Sequence, residues 1–158
     1  MLKKGSIVLS IWCGINFILA FIILCYVIVL KQNSPILQVA SFSEAEIAGL
    51  GVKTIAALNC FTILYNSCSL VISALTWPLI RKNLVVGEKS AFWTLVFVIG
   101  FIEVMAFFAS AYIGHGRWQV NVVQSILFVV GIGLCAYPIL KPKTDRMIKQ
   151  QDKEGVLT

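Results

Sequence analysis

Four long apolar runs constrain what this chain can fold into. They cover approximately residues 6–30, 52–80, 91–113 and 120–140, and each has the roughly 20 residues that a helix needs to cross a hydrocarbon core about 30 Å thick. Because that core offers no water to the backbone, each run must satisfy its own N–H and C=O groups as a helix. We therefore expect an all-α membrane protein, a four-transmembrane-helix antiparallel bundle, and we number the runs spans 1 to 4.

The composition agrees with this interpretation. Hydrophobic residues make up 59% of the chain and charged residues 13%, whereas soluble domains carry roughly 25% charged residues. Span 1 follows Lys3 and Lys4 as a secretion signal would, but its apolar run is longer than the roughly 7–15 residues of a signal and no small-residue cleavage site follows. We expect a retained span and a single transmembrane domain over residues 1–158, with a polar tail at 141–158.

The distribution of positive charge predicts the orientation. All but three of the 13 Lys and Arg residues lie before span 1, between spans 2 and 3, or after span 4; the exceptions are Lys31, Lys53 and Arg117. The positive-inside rule then places both termini in the cytoplasm. Because the basic residues are divided among short segments, we expect membrane lipids as partners and no nucleic acid.

Span 2 carries a regular ladder of polar residues. The ladder consists of Asn59, Thr62, Asn66, Ser69, Ser73 and Thr76. Its gaps alternate between three and four residues, so on an α-helix the six side chains share a stripe about 100° wide. Amide and hydroxyl groups on an otherwise apolar span are typical of a face that packs against other spans.

Glu103 is the charged residue near the middle of span 3. An ionised carboxylate at the bilayer centre costs at least ~2.5–3.5 kcal/mol, and the sequence places no Lys, Arg or His at that depth. Counting from the span ends puts Asn66 at a similar depth. We therefore expect a protonated Glu103 that donates to the amide of Asn66, with Asn16 as the second choice of partner.

Three functional interpretations remain open for this polar seam. It can be interhelical hydrogen-bond glue in an accessory or structural subunit, or it can line a cavity for a hydrophobic ligand such as a lipid, a quinone or a hydrophobic cation. In the third interpretation, Glu103 exchanges a proton or a cation during transport by a homo-oligomer; a partner membrane protein is a further possibility. The candidate ligand-binding or seam residues are Glu103, Asn66, Asn59, Thr62, Ser69, Ser73 and Asn16.

The sequence does not favour catalysis or metal binding. His115 and Arg117 lie in a short outer turn, and no second histidine or nucleophile has a recognisable spacing to His115. The five cysteines all lie in spans without a C-x-x-C motif, so they are expected to pack as small apolar residues, although a Cys25–Cys60 disulfide is conceivable. We expect no enzyme, no catalytic residue, no metal and no cofactor.

The loop between spans 1 and 2 is the longest connection. Ser43 and Glu46 have the spacing of a capping box, which predicts a short helix, and Gly49 and Gly51 predict a bend before span 2. Apolar residues around Leu37 can rest at the membrane interface. The loop is therefore either a lid over the bundle or an ordinary loop on the headgroups.

The start of span 3 carries a family resemblance. Gly87, Glu88 and Lys89 are followed by Phe92 and Trp93. This step from glycine through charged residues to aromatics resembles the third span of small uncharacterised four-span bacterial membrane proteins of the DoxX-like kind. The resemblance covers about a dozen of the 158 residues. It implies a multi-pass protein of the bacterial inner membrane and no particular function.

Overall fold

A computed structural model describes residues 1–113 and 118–141, and all regular structure in these residues is helical. Four of the helices are long and apolar enough to cross a membrane, which confirms the prediction of an all-α protein with four candidate spans. The predictions for His115 and Arg117, and for nearly all of the polar tail, concern residues outside these ranges.

Three of the four spans combine α-helix with a π-helical segment. The bounds are Leu2–Leu24 (α) and Cys25–Val29 (π) for span 1, Val52–Pro78 (α) and Leu79–Leu84 (π) for span 2, Lys89–Thr94 (α), Leu95–Ile99 (π) and Gly100–Ile113 (α) for span 3, and Trp118–Leu140 (α) for span 4. Span 2 extends four residues further than the sequence suggested. Its proline, Pro78, lacks the N–H that continues α-helical bonding, and the wider π turns follow directly.

The turn between spans 2 and 3 is correspondingly short. Gly87 adopts a positive φ of 83°, which glycine tolerates without steric cost. Glu88 accepts hydrogen bonds from the Asn83 amide and the Ser90 hydroxyl, and these bonds hold the pKa of the Glu88 carboxyl below its ordinary value. The turn therefore fixes spans 2 and 3 as an antiparallel hairpin.

Spans 1 and 2 pack in a regular antiparallel register. The Ser6 hydroxyl donates to the Ile80 carbonyl at 3.5 Å and the Cys13 thiol to the Ser73 carbonyl at 3.1 Å. The partners are spaced by seven residues on both spans, and the next step of seven places Ala20 opposite Asn66. All six residues are buried. Small side chains on span 1 thus let span 2 approach closely, as helix packing in lipid requires.

Spans 1 and 4 touch through glycine. A Cβ atom added at Gly131 would lie 2.6 Å from Cγ of Leu9, and one at Gly5 would lie 2.8 Å from the Gly131 carbonyl oxygen. Gly133, two residues further along span 4, has nothing within 4 Å of its added Cβ. Gly131 therefore permits the close contact of these spans, whereas Gly133 does not take part in it.

The hydrophobic core occupies one end of the bundle. We call the end that carries Lys3, Arg81 and Lys89 the basic end, and the end that carries residues 31–51 the loop end. The core residues are Leu9, Trp12, Cys13, Ile80, Leu84, Phe92, Leu95, Ile99, Phe128, Cys135 and Ile139. All of them lie in the halves of the spans nearest the basic end, except Phe128, which lies near the middle of span 4.

Towards the loop end the packing is looser. Among the side chains that the structure describes, none is buried over residues 100–111 of span 3 or 121–127 of span 4. Span 1 packs along both span 2 and span 4, while the main contact of spans 2 and 3 joins Leu79–Leu84 to Lys89–Thr94 at the basic end. The bundle is therefore closed at the basic end and open at the loop end.

The loop over residues 31–51 contains two short helices, Ile36–Val39 and Glu44–Gly49. The second begins with the predicted capping box, in which Ser43 and Glu46 bond each other's backbone N–H groups. The backbone N–H and hydroxyl of Ser43 hold the pKa of Glu46 below its ordinary value. Leu50 and Gly51 are extended, so the predicted bend before span 2 is confirmed.

Candidate functional site

Glu103 lies at a junction of three spans. The Trp12 indole N–H of span 1 donates to its Oε1 at 3.1 Å, and the Ser125 hydroxyl of span 4 donates to its Oε2 at 2.9 Å. Each carboxyl oxygen thus has one donor from a different helix. One half-buried side chain of span 3 thereby holds spans 1 and 4 in place.

Trp12 connects this junction to the hydrophobic core. Its side chain is buried, and its ring packs against Phe128 with centroids 5.5 Å apart and ring planes inclined by 52°. A buried indole N–H needs an acceptor, because leaving it unpaired costs about 1–3 kcal/mol. Glu103 supplies that acceptor at the point where the core ends and the open half of the bundle begins.

The expected pairing of Glu103 with Asn66 is wrong, and so is the second choice, Asn16. The Asn66 amide donates to the Thr62 carbonyl at 2.8 Å and the Asn16 amide to the Trp12 carbonyl at 3.0 Å, each within its own helix. Asn66 faces span 1 at Ala20, whereas Glu103 reaches span 1 at Trp12. Those two positions are eight residues apart, about 12 Å along the helix. Asn66 and Glu103 have similar depths when residues are counted from the span ends, but the two side chains do not bond each other.

The six ladder residues of span 2 all face protein. Asn66, Ser73 and Thr76 are buried, while Asn59, Thr62 and Ser69 are half-buried. Between them, large apolar side chains are exposed; examples are Phe61, Leu64, Val71 and Leu75. The ladder is thus the packed stripe of span 2, and the exposed residues cover the surface that faces away from the bundle.

The first two ladder residues hold the loop. Ser34, which is 1% exposed, donates its N–H to Oδ1 of Asn59 at 2.7 Å. Thr62 donates its hydroxyl to the Leu58 carbonyl, so the Ser34 hydroxyl donates to Thr62 and accepts from the Ile36 N–H. Leu37 is also buried. Asn59 and Thr62 therefore fasten the start of the loop to span 2, and neither bonds Glu103.

An apolar groove lies beside the junction, between spans 3 and 4. It has a volume of about 250 Å³ and is lined by Phe107, Val122, Ser125, Ile126, Val129 and Val130. Ser125 belongs to both features, because its hydroxyl binds Glu103 and its side chain lines the groove. Phe107 follows Glu103 by one helical turn on span 3. Glu103 itself does not line the groove, whose lining is apolar; we call the Glu103 carboxyl group, its two donors and the adjoining groove together the Glu103 centre.

The Glu103 centre lacks a positive charge of its own. Both hydrogen-bond partners that the structure gives the carboxyl group are neutral. Interhelical hydrogen bonds in lipid contribute roughly 0.6 kcal/mol each. Placing an ionised carboxylate at the bilayer centre costs at least ~2.5 kcal/mol, so two such bonds offset only about half of that cost. Neither of these two hydrogen bonds therefore pairs the Glu103 carboxyl group with a positive charge.

Sequence reasoning missed Trp12 and Ser125. The usable signal was weak: Trp12 is an aromatic residue with one polar atom next to Cys13 on the packed face of span 1, and Ser125 is a hydroxyl in the span that follows Glu103. Neither residue interrupts the apolar pattern of its span. A search for neutral donors on every span, not only for amides at equal depth, would have included both.

The described residues contain no cluster of three or more His, Cys, Asp or Glu side chains that could hold a metal ion. All five cysteines are free, so the conceivable Cys25–Cys60 disulfide is not formed. Cys13 and Cys135 are buried, in line with packing as small apolar residues, but Cys60 and Cys68 are exposed on span 2.

Comparisons of this chain with known protein families, with characterised proteins and with solved structures find no match. The resemblance of the start of span 3 to DoxX-like proteins therefore stays a prediction.

Proposed function

We propose that this chain is a non-catalytic, multi-pass protein of the bacterial inner membrane, with both termini in the cytoplasm, that binds a hydrophobic lipid-like or quinone-like ligand at the Glu103 centre. The observation that carries the proposal is the position of Ser125, which lines an apolar groove and also donates to the Glu103 carboxyl group. Binding sites for small amphipathic molecules combine these elements, because apolar walls supply affinity and a few polar groups fix orientation.

The site also has a route for a ligand. The core closes the basic end of the bundle, whereas described side chains of spans 3 and 4 near the loop end are unburied. A molecule dissolved in the bilayer can therefore reach the groove from the side without unfolding the core. Glu103 lies at the inner limit of this open region, where a ligand head group would stop.

Filling the groove tests the proposal. Val129 lines the groove, while Val123 lies on the same span outside it, and both are more than half exposed. We expect wild-type protein purified in mild detergent to retain a hydrophobic small molecule that native mass spectrometry detects, V129W to lose it, and V123W to keep it. Wild-type protein without a retained molecule, or equal retention by both variants, would contradict the proposal.

A second candidate is an accessory or structural subunit, and the three-span hydrogen bonding of Glu103 favours it. In that case the groove has no specific occupant and the carboxyl group is only an acceptor. Glu103→Gln retains an acceptor oxygen, so a structural subunit would keep its assembly and stability in this variant. Proton- or cation-coupled transport by a homo-oligomer through Glu103 stays a prediction.

A further inference from the structure

We infer that an anionic phospholipid binds at the basic end of the bundle, on the lipid-facing side of the contact between spans 1 and 2. Lys3, Ile7 and Gly14 of span 1 and Trp77 and Arg81 of span 2 border this surface, which we call the Trp77 groove. Lys3 and Arg81 bind the phosphate of the lipid, and Trp77 contacts its glycerol and the start of its chains. This site is separate from the Glu103 centre and does not depend on the proposed function.

The Trp77 groove lies on the side of span 1 that faces away from Glu103. Cys13 contacts span 2, and its neighbours Trp12 and Gly14 point about 100° to either side of it. Trp12 turns towards Glu103, so Gly14 lies on the opposite side. The ring of Trp77 packs there, because its Cζ3 atom lies 3.7 Å from a Cβ atom added at Gly14.

Lys3 and Arg81 border the same groove. Lys3 precedes Gly14 by 11 residues, about three helical turns, so both lie on one face of span 1. Arg81 follows by one position a contact residue of span 2, Ile80, whose carbonyl accepts a bond from span 1. Gly14 follows its own contact residue by the same step. In an antiparallel pair, equal steps past the contact turn both helices towards the same side, which brings the two cations to one groove.

These two cations have no ionic partner within the described part of the chain. Lys3 and Arg81 are exposed, and neither has an ion pair or a side-chain hydrogen bond there. Glu88 is the acidic residue that the structure describes at this end, and its carboxyl group accepts from Asn83 and Ser90. A lipid phosphate supplies the missing negative charge, and its oxygens suit the bidentate geometry of an arginine.

Exposed aromatic residues place these charges at the level of the lipid head groups. Trp77, Trp93 and Tyr137 are exposed near the basic ends of three different spans, as aromatic residues at a membrane interface are. Arg81 follows Trp77 by one helical turn, and the indole N–H of Trp77 has no acceptor among the described residues. Towards the bilayer centre the groove is apolar, since Ile7 is 52% exposed. A soluble anion would meet only the charges, whereas a phospholipid complements both parts.

The test measures binding of the first lipid to full-length protein in mild detergent by native mass spectrometry. The probes are phosphatidylglycerol, which is anionic, and phosphatidylcholine with the same chains, which is zwitterionic. We expect phosphatidylglycerol to bind at least about fivefold more tightly, because a basic residue near a membrane surface attracts an anionic lipid to about this extent. Inorganic phosphate at the same concentration should not displace it, because phosphate lacks the chains.

Neighbouring residues provide matched controls. R81Q and K3Q should each weaken the binding of phosphatidylglycerol by about fivefold and leave that of phosphatidylcholine unchanged. K82Q and K4Q remove the same charge from exposed side chains one position further along each span, where they point away from the groove, and should bind as wild type does. Circular dichroism confirms that all four variants are folded.

Two tryptophan variants test the apolar part of the site. W77L should weaken the binding of both lipids, whereas W93L, which removes an exposed tryptophan of span 3, should weaken neither. V129W changes only the groove of the Glu103 centre, so it should bind phosphatidylglycerol as wild type does, and this result separates the two sites.

Three results would overturn the inference. Equal losses in R81Q and K82Q would show a diffuse surface charge without a site. Equal binding of the two lipids would show that the charges do not select the head group. Displacement of phosphatidylglycerol by an equal concentration of inorganic phosphate would show a phosphate site that does not recognise a lipid.

Discussion

Removing the carboxyl group of Glu103 should destabilise the protein through Trp12 and not through Asn66. Glu103→Leu removes the acceptor of the indole N–H, which is buried beside Phe128. An unpaired buried donor costs about 1–3 kcal/mol. The Ser125 hydroxyl adds little to this cost, because a serine in a helix can turn to the carbonyl four residues earlier. We therefore expect Glu103→Leu to lower the free energy of unfolding by about 1–3 kcal/mol.

Double-mutant cycles identify the partner. In Trp12→Phe the indole N–H is already absent, so adding Glu103→Leu should cost less than it does in wild type. We expect a coupling energy of about 1 kcal/mol for this pair. Asn66→Leu shares no bond with Glu103, so its coupling to Glu103→Leu should be near zero.

The assay is reversible unfolding of the purified protein in mixed micelles, monitored by circular dichroism as the fraction of denaturing detergent rises. Glu103→Gln serves as the control because it keeps an acceptor oxygen and should lose less than Glu103→Leu. A larger coupling of Glu103 to Asn66 than to Trp12 would refute the three-span junction described above. So would equal stability of Glu103→Leu and wild-type protein.

Three further predictions concern the framework around the site. Gly131→Ala should be less stable than Gly133→Ala by about 1–3 kcal/mol, the cost of overpacking a filled core, because only the Cβ at Gly131 meets Leu9. The gain in helix propensity is common to both variants and cancels in the comparison. Equal melting temperatures of the two variants would contradict the close contact of spans 1 and 4. Ser34→Ala should increase the rate of hydrogen exchange in the 31–51 loop several-fold, because it removes the bond to Thr62. The exposed control Gln38→Ala should leave that rate unchanged. Equal exchange rates in the two variants would show that this bond does not hold the loop. Lowering the pH should loosen the Glu44–Gly49 helix: the folded pKa of Glu46 lies below its ordinary 4.5, so the stabilisation is present above pH 4.5 and is lost as the pH falls through the folded pKa. Hydrogen exchange of residues 43–49 measures this change, and it should vanish in Glu46→Gln, which keeps the capping geometry without the charge.

The features that the sequence predicted correctly depend on local chain properties. The four spans follow from the length and polarity of the runs, because the bilayer imposes a minimum length and internal hydrogen bonding on each of them. The capping box at Ser43 and Glu46 follows from a spacing of three residues, which places both groups on the same turn. The inward orientation of the span 2 ladder follows from the three-four periodicity of its polar residues.

The partners of Glu103 depend on properties that are not local. Depth along a span is one coordinate, but helix order around the bundle and rotation about each helix axis also decide which side chains meet. The π-helical segment Leu95–Ile99 lies between the start of span 3 and Glu103. One additional residue in a turn rotates everything after it by about 100°. A helical wheel drawn with a uniform period therefore misplaces Glu103 relative to its neighbours, and no residue of this segment signals the change.

The direct test of the account is to locate a bound lipid-like molecule on the protein. A lipid with a diazirine in its acyl chain can be photo-crosslinked to the protein in nanodiscs, and the labelled residues can be mapped by peptide mass spectrometry. The account predicts labels on Val122 and Ile126 that disappear in V129W and persist in V123W. Labels spread over the exposed face of span 2, such as Leu64 and Val71, and unchanged by V129W, would contradict it.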